Sequence, residues 1–256
     1  MRRIGEYRIL SALAQTRFAV VHAAEHVTLG HPVALRLLAP AAGHAARPFM
    51  HEARVLDRLR HPAIPRILDC GYHDGSPWFA TDRFPGRTLA QVIADGARID
   101  VAGVLRDLSA ILLHAEGRGF LLRGLTAERV TCVGNSRGVA LCITDWHGAR
   151  AVADAPADHA GSVHALGVIA FQTLTGVMAH APSTIATLAG VDSVGAYVTR
   201  TPARVTWLVD RMLSRDPRDR PTLAEIHAQA SSILAAAVTE RFEDLTDDIE
   251  RIDLAL

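Results

Sequence analysis

Near residue 87 the spacing of apolar residues changes, and with it the kind of structure the chain can form. Before that point the apolar runs are short, rich in β-branched and aliphatic side chains, and broken by turn residues. YRILSAL (7–13), FAVVHAAEH (18–26), the turn LGHP and VALRLL (33–38) predict three antiparallel strands. RPFMHEARVLDRL (47–59) places Phe49, Ala53, Leu56 and Leu59 on one face and reads as a helix. Residues 66–84 read as two strands joined by a turn at His73, Asp74, Gly75 and Ser76. After residue 87 the spacing is helical. Val101, Val104, Leu105, Leu108, Ile111, Leu112 and Ala115 share a face, and Gly117 or Gly119 can close their helix. A hairpin follows at 129–144, turning at Asn135–Gly138, and 162–176 is apolar nearly all round, as a central buried helix is. Helices near 203–213 and 222–236 complete an α+β, bilobal order. A β-rich lobe with one helix spans 1–84 and a larger helical lobe spans 85–235. They join near Arg83–Arg87, and an amphipathic helical extension follows at 236–256.

With 256 residues, 49% of them hydrophobic, the chain can bury a substantial core. Its formal net charge is zero and no long run of one sign occurs, so neither nucleic acid nor a membrane surface is an expected partner. Cys70, Cys132 and Cys142 form no CxxC pair, which argues against a disulfide framework or a zinc site; reduced thiols and a cytoplasmic location are expected. All 27 basic residues are Arg, so chemistry that requires a lysine is excluded. His147, His159 and His164 match no common zinc spacing.

LLRGLTAERV (121–130) sits between the predicted helix and hairpin, where a catalytic loop would be expected, yet it holds no His, Asp or Asn. In the tail, Val238, Phe242, Leu245, Ile249, Ile252 and Leu256 recur at alternating spacings of four and three. They form an amphipathic stripe suited to docking in cis, or to a protein partner or a second copy.

In order and spacing, YRILSAL, VALRLL, HEARVLDRLRHPAIPRILDCGY, DRFPGRTL, ITDWHGAR, HALGVIAFQTLTG and MLSRDPRDRPTLAEI make the chain similar to a bacterial serine/threonine protein kinase domain over about residues 7–235. The resemblance implies the bilobal protein-kinase-like fold, whose active members use ATP and magnesium. Matched to that pattern, the three glycines of the phosphate loop are Ala14, Thr16 and Ala19, and the third-strand lysine is Arg36. The helix glutamate is kept as Glu52. The catalytic aspartate falls on Gly124 and the metal-binding asparagine on Arg129. Asp145 keeps the metal-binding aspartate, but the following glycine position is His147. Thr81 completes the implied, vestigial nucleotide cleft. Ser162 replaces the central-helix aspartate, and no Ala-Pro-Glu motif is visible, so Arg220 lacks its usual partner.

The expectation is therefore a degenerate kinase, or pseudokinase, that is not an enzyme. It would bind ATP and magnesium weakly or not at all and act as a protein-binding, regulatory or scaffold module. The alternative is an atypical nucleotide-binding protein or a nucleotidyl or phosphoryl transferase of the same fold.

Overall fold

The computed structural model describes residues 2–16, 18–135, 138–154, 159–177, 194–196, 198 and 201–253; side chains of 240–253 lie outside the description. By internal contacts the chain divides into two compact units, Met1–Leu89 with His114–Pro156, and Ala90–Leu113 with Ala157–Leu256.

The first unit is built on an antiparallel sheet. Its strands are β1 (Arg3–Ile4), β2 (Tyr7–Gln15), β3 (Ala19–His26), β4 (Pro32–Leu38), β5 (Ile67–His73) and β6 (Ser76–Asp82), in spatial order β1-β2-β3-β4-β6-β5. The three strands predicted over 7–38 are β2, β3 and β4. The short β1 carried too few residues to show a period. Asp74 (φ 49°) and Gly75 (φ 76°) form the β5–β6 turn; consecutive positive φ angles suit a two-residue hairpin, and Asp-Gly supplies them. One core cluster of this sheet contains Ile4, Tyr7, Ala24, Val33, Leu35, Leu37, Trp78 and Ala80. Trp78 lies over two glycines. A Cβ at Gly5 would come 2.7 Å from the Trp78 ring, and one at Gly71 would come 3.1 Å from it.

Helix α1 (Ala46–Arg58) buries Phe49, Ala53 and Leu56 of its predicted face together with Val55 and the acid Glu52, and Leu59 is buried just past its end. The same unit holds β7 (Arg87–Thr88), and later in the chain β8 (Phe120–Leu122), β9 (Val130–Asn135), β10 (Gly138–Ile143) and β11 (Ala149–Ala151). Strands β9 and β10 make the predicted hairpin, Gly138 opposite Asn135; β7 extends it, and β8 pairs with β11.

Between β6 and β7, a side chain on Gly86 would place its Cβ 2.1 Å from the Cys132 carbonyl, so this segment of DRFPGRTL lies against β9 too closely for any other residue.

The second unit is helical. It holds most of α2 (Leu89–Ala94) and α3 (Val101–Gly117), with α4 (His159–Thr175), α5 (Ala203–Met212) and α6 (Leu223–Asp253). In α4, Val163, Leu166, Ile169, Ala170 and Phe171 are buried on several faces, as the apolar run predicted. Gly167 lets α4 and α5 approach closely, because a Cβ there would meet Met212 Cβ at 2.9 Å. Arg220 donates to the Ser214 and Ala160 carbonyls, both at 2.9 Å, which gives it acceptors in place of the missing glutamate. The predicted helix near 222–236 and the predicted helical extension after it form one continuous helix, α6, which runs to Asp253.

Candidate functional site

Three elements of the first unit converge on Arg36. Strand β4 presents its side chain, α1 presents Glu52, and the segment after β10 supplies Thr144 and Asp145. The guanidinium donates to Glu52 Oε1 at 2.8 Å and to the Thr144 carbonyl at 2.6 Å, and lies 3.8 Å from Asp145 Oδ1. It also stands over the Phe79 ring, 5.8 Å from its centre. The Arg36 and Glu52 side chains are 13% and 4% exposed, so the pair sits where an unpartnered charge would be costly.

Glu52 accepts a second hydrogen bond, from the backbone N–H of Trp146 at 3.0 Å. Burial pushes its carboxyl up from the ordinary glutamate range, while the Arg36 guanidinium pulls it the other way. Trp146 is fully buried, and its indole N–H donates to the Ile143 carbonyl at 2.9 Å, fixing the turn that carries Asp145.

Both carboxylate oxygens of Asp145 face cations. Oδ1 lies near Arg36 and accepts from the His147 backbone N–H at 2.8 Å; Oδ2 lies 4.0 Å from Arg129 Nε. Arg129 also donates to the His147 carbonyl at 2.8 Å. A cavity of about 220 Å³ opens here, lined by Thr16, Ala19, Arg36, Glu52, Arg129 and Asp145 together with Phe18, Val21, Ala45, Phe49 and His147.

Of the residues singled out from the sequence, Thr16, Ala19, Arg36, Glu52, Arg129 and Asp145 are brought together, whereas Ala14 and Thr81 do not line this cavity. Ala14 is exposed on β2, opposite Val21, beside an irregularity in the β2–β3 register. Thr81 is buried in β6, where its hydroxyl donates to the carbonyls of Ala34 and Asp82. Gly124 has φ +63° and open space around a built Cβ. Val238 is 54% exposed on α6; the side chains of Phe242, Leu245, Ile249 and Ile252 lie outside the described residues, as does Leu256.

Sequence reasoning missed three contributors: the Trp146 amide, the Thr144 carbonyl and the Thr16 hydroxyl. The hydroxyl accepts from the N–H groups of Ala19 (3.0 Å) and Phe18 (3.4 Å), while the Thr16 N–H donates to the Ala19 carbonyl. These amides are the kind a phosphate-cradling loop offers to its ligand, and here a side chain engages them. A Ser or Thr two and three residues ahead of the amides it can cap is a readable local signal; the two backbone contributors leave no signature in residue type.

No family model matches the chain. It is 30% identical over 171 residues to the serine/threonine-protein kinase pkn2 of Myxococcus xanthus, covering 64% of this chain and 20% of that protein. It is 24% identical over 263 residues to pkn3 of the same organism, covering 86% of this chain and 48% of that protein. The chain thus spans between a fifth and about a half of the length of these curated relatives. Among solved structures it is similar to the PpkA-294 apo form, with a TM-score of 0.75 and 18% identity, over 90% of this chain and 97% of that one. That likeness shows the fold.

The comparisons correct the expectation that the chain is not an enzyme. The relatives that match it, at 24% to 30% identity, are named serine/threonine-protein kinases, and a lack of activity has no support among them.

Kinases of this fold work with magnesium and ATP. At Asp145 the donor set is one carboxylate between two guanidinium groups, a poor match to the several oxygens and the negative charge that magnesium requires. The residues present do not fit that ion, and no step is derived through it. Among the described residues, no group of three His, Cys, Asp or Glu could hold a metal, and no helix is long and apolar enough to cross a membrane.

Proposed function

We propose that this chain, a protein-kinase-like domain of the α+β bilobal fold, works as a protein-binding, regulatory or scaffold module whose cleft is held together by its own ion pairs. The observation that carries the reading is the cluster at Asp145. Arg36 and Arg129 flank its two oxygens and Arg36 is bonded to Glu52, so the charges that could receive a ligand's phosphates and metal are turned on one another. The cavity of about 220 Å³ supports the same reading, being smaller than the roughly 300 Å³ at which small-molecule pockets begin. On this reading ATP with magnesium binds weakly or not at all, and the preserved shape is what partners recognise.

Phosphoryl transfer in an atypical pose is the second reading, favoured by the names of the relatives and by the retention of Glu52 and Asp145. One pair of measurements separates the two. Thermal unfolding with ATP, with and without magnesium or manganese, is expected to show no metal-dependent rise in midpoint under the first reading. A metal-dependent rise, together with phosphate incorporation that Asp145→Ala abolishes, establishes the second.

A further inference from the structure

The zero net charge of the chain hides a partition. Residues 240–253 carry seven acids against two arginines, so the rest of the chain carries twenty acids against twenty-five arginines. A chain divided in this way has an acidic arm on a basic body.

Three of the body's arginines that take no part in the cleft line a second cavity, which shares Phe18, Ala45, Glu52 and His147 with the first. Beside Glu52, on the α1 side, lies a cavity of about 880 Å³. Arg47, Arg54 and Arg150 line it with His44, His51 and His147, and its sole lining acid is Glu52, which is buried and bonded to Arg36. The three arginines, His44 and His147 are exposed; the ring of His51 is half-buried against the Ala149 carbonyl at 3.2 Å. Tyr72, 73% exposed, adds an aromatic surface to the same wall. Exposed arginines and a tyrosine around a cavity make a surface that takes an anionic segment with an apolar side.

The arm fits that description. It is helical to Asp253, continuous with a helix whose start, at Leu223, Ile226 and Ala230, is buried, and Val238 is already 54% exposed. At about 1.5 Å per residue the 31-residue helix is about 46 Å long. Its sequence interleaves Phe242, Leu245, Ile249 and Ile252 with Glu243, Asp244, Asp247 and Asp248. We propose that the acidic helical arm of one chain docks in the basic α1 cavity of a second copy, so that the protein self-associates through unlike surfaces. An arm-to-cavity contact of this kind is either reciprocal, closing a dimer, or continues from copy to copy. This deepens the binding-module reading and rests on it, supplying the partner.

The test is sedimentation equilibrium on the full chain, over a range of concentrations at about 0.1 M and about 1 M salt. Association at the lower salt that weakens at least about tenfold at the higher is expected, since screening shortens from about 10 Å to about 3 Å. Two charge-reversed full-length variants follow, each checked for an unchanged thermal midpoint. One carries Asp244→Arg, Asp247→Arg and Asp248→Arg; the other carries Arg47→Glu, Arg54→Glu and Arg150→Glu. Each alone is expected to lose association, and an equimolar mixture of the two is expected to regain it, reversed arm meeting reversed cavity. A full chain that stays monomeric, or variants that associate like the parent, overturns the proposal. So does a mixture that fails to recover. A monomer that also shows no metal-dependent nucleotide stabilisation removes this proposal and leaves the binding-module reading standing, whereas such stabilisation with turnover removes that reading itself.

Discussion

At the scale of single residues, the arrangement around Arg36 makes strong demands on Glu52. This carboxylate accepts from Arg36 at 2.8 Å and from the buried Trp146 amide at 3.0 Å. Glu52→Ala removes the oxygen that accepts both bonds and is expected to lower stability by about 3 kcal/mol, within the range for breaking a buried pair. Glu52→Gln keeps an acceptor for the amide and is expected to lose less. Urea denaturation checks the order, and an alanine variant losing under about 1 kcal/mol contradicts the described pairing. Gly124, which the resemblance matches to a catalytic aspartate, poses a different question with its φ of +63°. The backbone there is left-handed, but nothing lies within 4 Å of a built Cβ. Gly124→Asp is therefore expected to fold at a cost of about 1 kcal/mol and Gly124→Val at about 2 kcal/mol, the strain being conformational and Asp tolerating it better. Equal losses for the two variants, measured by the same denaturation, would point to crowding instead. The residue types at Arg36, Gly124 and Arg129 were legible from sequence. The hydrogen bonds of Arg36 to the Thr144 carbonyl and of Arg129 to the His147 carbonyl were not, since every residue carries a carbonyl and only folding decides which one faces a guanidinium.

At the scale of elements, the fold was legible wherever a period had room to repeat. Strands β2 to β6, the β9–β10 hairpin and helices α1, α3, α4 and α5 fall where alternation, turn residues or helical spacing place them. The two-residue strands β1 and β7 and the three-residue strands β8 and β11 are too short to carry a pattern and are set by pairing with neighbours. Helix α6 shows how a local cap sets a boundary. The Thr222 hydroxyl accepts from the Glu225 N–H at 3.2 Å, and the Glu225 carboxylate accepts from the Thr222 N–H at 2.7 Å, a reciprocal capping box at the helix start. Those bonds to Thr222 hold the Glu225 carboxyl below its usual range. A carboxylate lowered on folding contributes stability that is present above its unfolded value, about 4.3, and is lost as pH falls through the lower folded value. Because Glu225 is exposed, the contribution is small and screened by salt. Thr222→Ala is expected to cost about 1 kcal/mol at neutral pH. The gap between Thr222→Ala and the parent should narrow as pH drops below 4, where the parent's carboxylate also protonates. Thermal unfolding at neutral and acid pH measures the gap, and an unchanged gap would mean the carboxylate does not serve the cap.

At the scale of the whole molecule, the groups that tie folding to pH near neutrality are histidines, and the sign of the dependence follows from their surroundings. His22, His61 and His164 all sit below the ordinary histidine range, chiefly because burial disfavours the charged ring. Arg2, His114 and Arg220, respectively, add a like charge nearby. A histidine lowered on folding binds its proton more readily in the unfolded chain. Stability is then full above about 6.5, falls as pH drops through that value, and levels off below the folded values. The thermal midpoint is expected to be flat from about pH 8 down to about pH 7 and to decline toward pH 5, a window separate from that of Glu225. For His61 the hydrogen bonding agrees with the titration. Its Nδ1 accepts from the Ala63 backbone N–H at 3.1 Å, so protonating that nitrogen breaks a bond as well as adding a charge beside the His114 ring, 5.0 Å away. His61→Asn keeps a side-chain acceptor for that amide but does not titrate. It is therefore expected to preserve the midpoint near pH 8 while flattening the decline between pH 7 and pH 5. A variant that lowers the midpoint equally at every pH would assign His61 to packing alone and leave the slope to His22 and His164.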